Sequence, residues 1–163
     1  MSTLFVDTIN EKTSGNGIKI PGHVVQVVQG VYDTNGSITS STLTNTGISQ
    51  SITPKSSSSK VLVLINATLG VSGTNGAEVY MQIVRDSTAI RIYERAIVFH
   101  GNDNASYHTG GSYSYCFLDS PSTTSATTYK LQGRTNSGTL RINDYYSGNN
   151  QGASTITLME IAQ

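Results

Sequence analysis

From residue 23 to the C-terminus, short stretches of β-branched and aromatic residues recur at fairly even intervals, each closed by a turn signal. Nowhere do apolar residues keep helical spacing for three turns without a Gly or a Thr/Ser run between them, so the chain reads as strands throughout. Residues 23–32 carry five valines and stop at Asp33-Thr34-Asn35-Gly36. Residues 37–53 are Thr-rich, with Ile38, Leu43, Ile48 and Ile52 as the apolar positions of two weak strands. Pro54 and the serines at 56–59 make a loop. Residues 60–69 follow, with the apolar run Val61-Leu62-Val63-Leu64-Ile65, the mark of a central strand covered on both faces.

Residues 77–85 alternate, with Val79, Met81 and Ile83 on one face and Glu78, Tyr80 and Gln82 on the other. Asp86-Ser87-Thr88 reads as a three-residue hairpin loop into residues 89–99. After a polar loop at 101–111, residues 112–118 place Tyr113, Tyr115 and Phe117 on one face. Three more strands are expected at 127–134, 139–146 and 154–162. Eight to ten antiparallel strands of this length imply an all-β fold, an antiparallel β-sandwich of jelly-roll type.

Composition explains how such strands stay soluble. Charged residues are 12% of the chain, about half the usual ~25%, and the ten basic side chains balance the ten acidic ones. Ser, Thr, Asn and Gly fill the gap at 71 of 163 residues, which suits strand surfaces and turns rather than helices. The balanced, scattered charge lacks the basic footprint of a nucleic-acid binder. No apolar run approaches the ~18 residues of a membrane span, and no basic region followed by an apolar core marks a secretory signal. Near-zero net charge lowers the barrier to self-association.

The first 22 residues differ from the rest. Leu4, Val6 and Ile9 punctuate one short β-prone stretch, a Gly-rich turn follows, and Ile18 and Ile20 mark a second stretch before Pro21-Gly22. Such a strand-turn-strand arm has too few apolar residues to fold alone and must pack on its own domain or on another chain. The expected organisation is therefore an arm at 1–22 for attachment or oligomerisation and a β-sandwich domain at 23–163.

Candidate chemistry is sparse. His100, Asp103 and His108 share one loop, yet their spacing matches no zinc or calcium motif, and His23 opens a strand after Pro-Gly. Cys116 is the single cysteine, flanked by Tyr115 and Phe117 in a strand. The chain has no Gly-x-Ser-x-Gly elbow and no phosphate-binding Gly loop. Asp103, Asp119 and Asp144 sit in or near loops, where Asp is an ordinary turn former. No enzyme activity, cofactor or metal is expected. Nine tyrosines without a tryptophan give the best lead: Tyr145-Tyr146 precedes Ser147-Gly148-Asn149-Asn150-Gln151, where a ring stacking on a sugar and an amide of Asn149 bonding its hydroxyls would form a glycan contact. The competing reading puts one tyrosine in the core and one at an interface, since neighbours in a strand face opposite ways.

The stretches Leu4-Phe5-Val6-Asp7-Thr8-Ile9 and Thr13-Ser14-Gly15-Asn16-Gly17-Ile18-Lys19-Ile20-Pro21-Gly22-His23-Val24-Val25-Gln26-Val27-Val28 resemble the start of many virion proteins of tailed bacteriophages. The resemblance is to fibre and appendage proteins of marine and cyanobacterial phages. It extends through Ile52-Thr53-Pro54-Lys55, Arg85-Asp86-Ser87-Thr88, Leu118-Asp119-Ser120-Pro121 and the ending Ile156-Thr157-Leu158-Met159-Glu160-Ile161. It implies a homotrimer whose N-terminal arm forms a stem or docks on other phage virion proteins, with a distal β domain facing a host surface glycan or protein. The alternative it leaves open is a head decoration or head fibre protein with no receptor role. Either way the place implied is the virion, with no nucleic-acid partner and no membrane insertion. The resemblance carries no active-site residues.

Overall fold

The computed structural model describes residues 6, 8–10, 20–73, 76–98, 107–144 and 152–163. Among them are ten strands and no helix: β1 (Val24–Tyr32), β2 (Gly36–Ile38), β3 (Thr44–Ile52), β4 (Lys60–Gly73), β5 (Glu78–Arg85), β6 (Thr88–Val98), β7 (Tyr107–Asp119), β8 (Thr127–Thr135), β9 (Thr139–Ile142) and β10 (Ser154–Ile161). They form two antiparallel sheets. One has the order β3-β8-β5-β6. The other has six strands, with β1-β10 against the first half of β4, β2-β9 against its second half, and β7 along its whole other side.

With the short β2 and β9 set aside, the pairings are nested. β1 pairs β10, β3 pairs β8, β4 pairs β7 and β5 pairs β6. A chain paired first with last in this way is one long antiparallel ribbon. Here successive pairs fall alternately in the two sheets, which is the jelly roll expected from the strand count.

The core lies between the sheets and follows from period-two alternation. Val61, Val63, Ile65, Ala67, Leu69 and Val71 point inward from β4, and Ile156 and Leu158 from β10. They meet Met81 and Ile83 of β5, Tyr129 and Leu131 of β8 and Ile48 of β3. Each such aliphatic side chain contributes about 1.5–3 kcal/mol on burial.

Several local expectations change. β4 is central, but it is buried on one face only; Leu62 and Leu64 stay partly open on the other. β7 begins at Tyr107, inside the stretch read as a polar loop, because β4 extends to Gly73 and supplies its ladder partners. The β5–β6 hairpin has a two-residue loop, since Arg85 pairs Thr88 directly. Asp86 takes φ 53°, and its backbone and carboxylate bond Thr128. The strand expected at 139–146 ends at Ile142. Asn143 still donates its N–H to the Thr68 carbonyl, but its φ of 57° turns the chain out of the strand, and its side chain holds that turn by donating to the carbonyls of Tyr32 and Thr34 and accepting from Ser154 Oγ.

Candidate functional site

Besides the Asn143–Ser154 pair, the described residues hold three buried carboxylates, Asp119, Glu160 and Asp144, and each has hydrogen-bond partners within the chain. At one end Asp119, at the close of β7, accepts Arg85 Nη1 from β5 at 2.8 and 3.0 Å and the Tyr129 hydroxyl from β8 at 2.7 Å. The cluster thus ties one sheet to the other. Glu160, fully buried in β10, accepts Gln26 Nε2 at 2.6 Å and the backbone amides of Lys55 and Ser56 at 2.8 and 3.3 Å. Asp144, also buried, accepts Arg141 Nη1 at 3.1 Å. Asp119 and Asp144 are therefore buried, ion-paired groups rather than the turn formers they resemble in sequence. A phase signal was available for two of the three: Asp119 falls in step with inward Tyr113, Tyr115 and Phe117, and Glu160 with inward Ile156 and Leu158. An inward carboxylate demands a partner.

Burial raises the titration of the core tyrosines. It lifts Tyr115 and Tyr129 far above the ordinary phenol value, and for Tyr129 the hydrogen bond to Asp119 and that carboxylate's charge add to the effect. Tyr93 and Tyr113 shift in the same direction, chiefly through burial. Their rings pack, and the hydroxyls of Tyr93 and Tyr129 donate hydrogen bonds to the Cys116 carbonyl and to Asp119.

The two outer faces of the sandwich differ in chemistry. On the four-stranded sheet, Gln82 donates to Gln132 at 2.7 Å and Gln132 donates to Asn45 at 2.8 Å, an amide chain crossing three strands. Beside it the Arg134 guanidinium lies 3.7 Å from the centroid of the Tyr80 ring, Tyr80 donates to Glu78, and Arg95 Nε pairs with Glu78 at 3.2 Å. This face is polar and charged except at Ile92 and Val98, which stand exposed opposite Gln82 and Glu78.

The outer face of the six-stranded sheet is mixed, an apolar row lying beside Gln29, Thr157, Asn66 and Ser114, with Arg141 on β9. The ladder aligns Val27, Met159, Leu62 and Leu118 in one row across β1, β10, β4 and β7. Val27 is 53% and Leu118 47% exposed. Val24 pairs Ile161 one row further along, and Leu64 with Cys116 lies on the other side. Cys116 is exposed. A hollow of about 190 Å³ there is rimmed by Leu64, Asn66, Ser114, Cys116, Thr155 and Thr157.

The predicted site residues divide as follows. In the arm, Val6, Ile9 and Ile20 are 50, 54 and 53% exposed; Leu4 and Ile18 lie outside the described residues. Tyr145, Tyr146 and Asn149 also lie outside them, as do His100 and Asp103. Asp144, the residue before the tyrosine pair, lines an open hollow of about 260 Å³ with Asn35, Gly36, Ser37 and Arg141. His23 Nδ1 lies 2.6 Å from the Ile20 carbonyl oxygen and closes the turn that joins arm to domain. His108 stands in β7 opposite Ser72. No three His, Cys, Asp or Glu side chains come together among the described residues. Among the described residues the structure thus gathers two surface features, an apolar row on the outer face of the six-stranded sheet and a polar hollow lined by Asp144.

No family model matches the chain, and no curated protein matches it. Among solved structures it is similar to VP2 in a subviral particle of infectious bursal disease virus, at 14% identity over 85% of this chain and 37% of that one, TM-score 0.41. The Gx strain of the same virus gives 13% identity over 98% and 43%, TM-score 0.43. Dimeric latent PorU from Porphyromonas gingivalis gives 7% over 93% and 14%, TM-score 0.45. The chain therefore spans well under half the length of each.

Proposed function

We propose that this chain is a structural virion protein of a tailed bacteriophage, a homotrimeric fibre or short appendage that docks through residues 1–22 and presents its jelly roll to the host surface. The observation that carries the reading is the exposure of the described apolar residues of the arm: Val6, Ile9 and Ile20 stand half exposed, while the sandwich has a core of its own. Each forgoes on the order of half of the ~1.5–3 kcal/mol that full burial gives, so cover from another chain is favoured. The resemblance of residues 4–28 to phage fibre and appendage proteins names the setting.

In this reading Tyr145, Tyr146 and Asn149 contact a host glycan or protein. The hollow lined by Ser37 and Arg141, which includes Asp144, the residue that precedes Tyr145 in sequence, is polar and open enough for sugar hydroxyls.

Deleting residues 1–22 is expected to abolish incorporation into particles while leaving a folded β domain; unchanged incorporation overturns the docking role. Light scattering on the intact chain at micromolar concentration is expected to give a trimer, and a monomer overturns the oligomer. Gold-labelled antibody on whole particles is expected to mark the tail, and label on the head points to the decoration reading instead. Tyr145→Ala with Tyr146→Ala is expected to weaken adsorption and leave assembly intact.

A further inference from the structure

We propose that the bulge in β3 is a binding site for a sulfate or phosphate group carried on a larger molecule. It stands on the outer face of the four-stranded sheet and involves neither residues 1–22 nor Tyr145 and Tyr146.

The bulge is held by specific bonds. Asn45 pairs Gln132 and Ser49 pairs Lys130, so residues 46–48 of β3 stand against Leu131 alone. Thr46 Oγ1 fastens the extra length by donating to the Leu131 carbonyl at 2.8 Å and accepting the Ile48 N–H at 3.2 Å. Gly47 turns it with φ 92°, and a Cβ placed there would meet nothing within 4 Å. The result is a hollow of about 120 Å³ lined by Asn45, Gly47, Ile48, Ser49 and Lys130. That is well below the ~300–1,000 Å³ of pockets that enclose a drug-sized molecule, so it suits a small headgroup whose carrier stays outside.

The side chains around this hollow offer donors. In the amide chain every bond runs the same way, from Gln82 Nε2 to Gln132 Oε1 and from Gln132 Nε2 to Asn45 Oδ1. Asn45 is therefore the terminal donor, with both N–H groups of Nδ2 unpartnered among the described residues. Each bond upstream polarises the next, which strengthens that final donor. Ser49 Oγ and Lys130 Nζ also have no partner among the described residues. The carboxylates of this sheet are engaged or distant. Glu78 pairs with Arg95, Asp86 accepts the Thr128 amide, and Glu94 lies two strands from Lys130, on β6. An amide, a hydroxyl and an ammonium around one small hollow, with no acid to neutralise them, recognise an oxyanion.

The site is tested by NMR titration of the intact, isotope-labelled chain with sodium sulfate, sodium phosphate, a sugar sulfate and a sugar phosphate. Ionic strength is held constant with sodium chloride, so that screening alone moves nothing. Saturable shifts are expected at the backbone amides of Gly47 and Ser49 and at the Asn45 side-chain amide. Lys130→Gln is expected to weaken affinity about tenfold and Lys130→Arg to restore most of it. Asn45→Asp keeps the acceptor for Gln132 but puts a carboxylate where the donor was, and is expected to abolish the shifts. Saturation by the sulfates alone, or by the phosphates alone, supports the site and identifies its source. Shifts that do not saturate, that chloride reproduces, or that survive Asn45→Asp at full affinity overturn it. Saturation by the free ions with none by the sugar esters overturns the carried group. The titration of the original chain decides the question even if a variant does not fold.

Discussion

Tyr129 and Asp119 join the two sheets through one 2.7 Å hydrogen bond, donated by a fully buried phenol to a carboxylate oxygen that also receives Arg85 at 2.8 Å. A hydrogen bond to a charged group is worth about 1.5–3 kcal/mol. Tyr129→Phe keeps the ring and removes that bond, so it is expected to lower stability by about 2 kcal/mol. Asp119→Ala also strands Arg85 and is expected to cost about 3–5 kcal/mol. Urea unfolding of the two single variants and the double variant checks this, and the double is expected to cost less than the sum because both remove the same bond.

Tyr115 behaves oppositely. Its ring packs edge-on to Tyr93 at 4.8 Å, but its buried hydroxyl has no hydrogen-bond partner among the described residues. Removing a desolvated, unpaired hydroxyl relieves a penalty of about 1–3 kcal/mol. Tyr115→Phe is therefore expected to be neutral or to raise the urea midpoint, in contrast to Tyr129→Phe.

The same tyrosines give the fold an alkaline limit. Burial holds Tyr115 and Tyr129 protonated well above the ordinary phenol value, with Asp119 adding to the effect at Tyr129. In the unfolded chain they titrate near the usual ~10. Above that pH the unfolded state binds fewer protons than the folded one, so stability falls as pH rises, by roughly 1.4 kcal/mol per pH unit per tyrosine. The stabilisation is complete below about pH 10 and is lost above it. Unfolding midpoints between about pH 9 and about pH 11 measure the slope, and Tyr129→Phe is expected to make it shallower.

Gly133 marks a point where the β8 backbone approaches the core. A Cβ placed there would lie 2.5 Å from Leu140 Cδ2 and 2.9 Å from Met81 Sδ, both side chains fully buried. Gly133→Ala is expected to lose about 1–3 kcal/mol through overpacking. Leu140→Ala in the same chain opens the space, so the pair is expected to be less unstable than the two losses added. Thermal unfolding of the four variants measures this coupling.

Alternation made the strands legible, and it made only the strands legible. Val79, Met81 and Ile83 announce β5 unaided, because side-chain period is a local property. The nested pairing is not local. Val24 meets Ile161 only because the whole ribbon between them closes, and no short window carries that information. β7 outruns its sequence signal for a related reason: Tyr107 to Gly111 has no apolar alternation and is a strand only because Leu69 to Gly73 lies beside it. The arm is legible in sequence only as a stretch with too few apolar residues for a core of its own, and most of it lies outside the described residues. The open side of β4 is not legible, because an apolar run does not report how many of its faces are covered.

Glu160 shows what an inward carboxylate does when no cation reaches it. One of its oxygens receives the backbone amides of Lys55 and Ser56, and the other receives Gln26 Nε2, whose second bond goes to the Thr53 carbonyl at 2.7 Å. The loop after β3 is thereby fastened to β1 and β10. Glu160→Gln is nearly isosteric, but it supplies one acceptor oxygen where two are used. If its oxygen keeps the two backbone amides, its NH₂ faces the Gln26 NH₂, and turning Gln26 over breaks the bond to Thr53. A buried donor left unpaired costs about 1–3 kcal/mol, so Glu160→Gln is expected to destabilise by about 2 kcal/mol despite unchanged volume. The loss should be concentrated at the loop: hydrogen exchange at Lys55 and Ser56 is expected to accelerate far more than exchange at Val63 or Leu131 in the core. Glu160→Gln together with Gln26→Glu restores a carboxylate to the cluster with the amide on the other strand, yet the backbone amides of 55 and 56 then face a neutral acceptor and the Thr53 carbonyl faces an anion. The double variant is therefore expected to remain less stable than the original chain, and full recovery would show that only the count of acceptors matters.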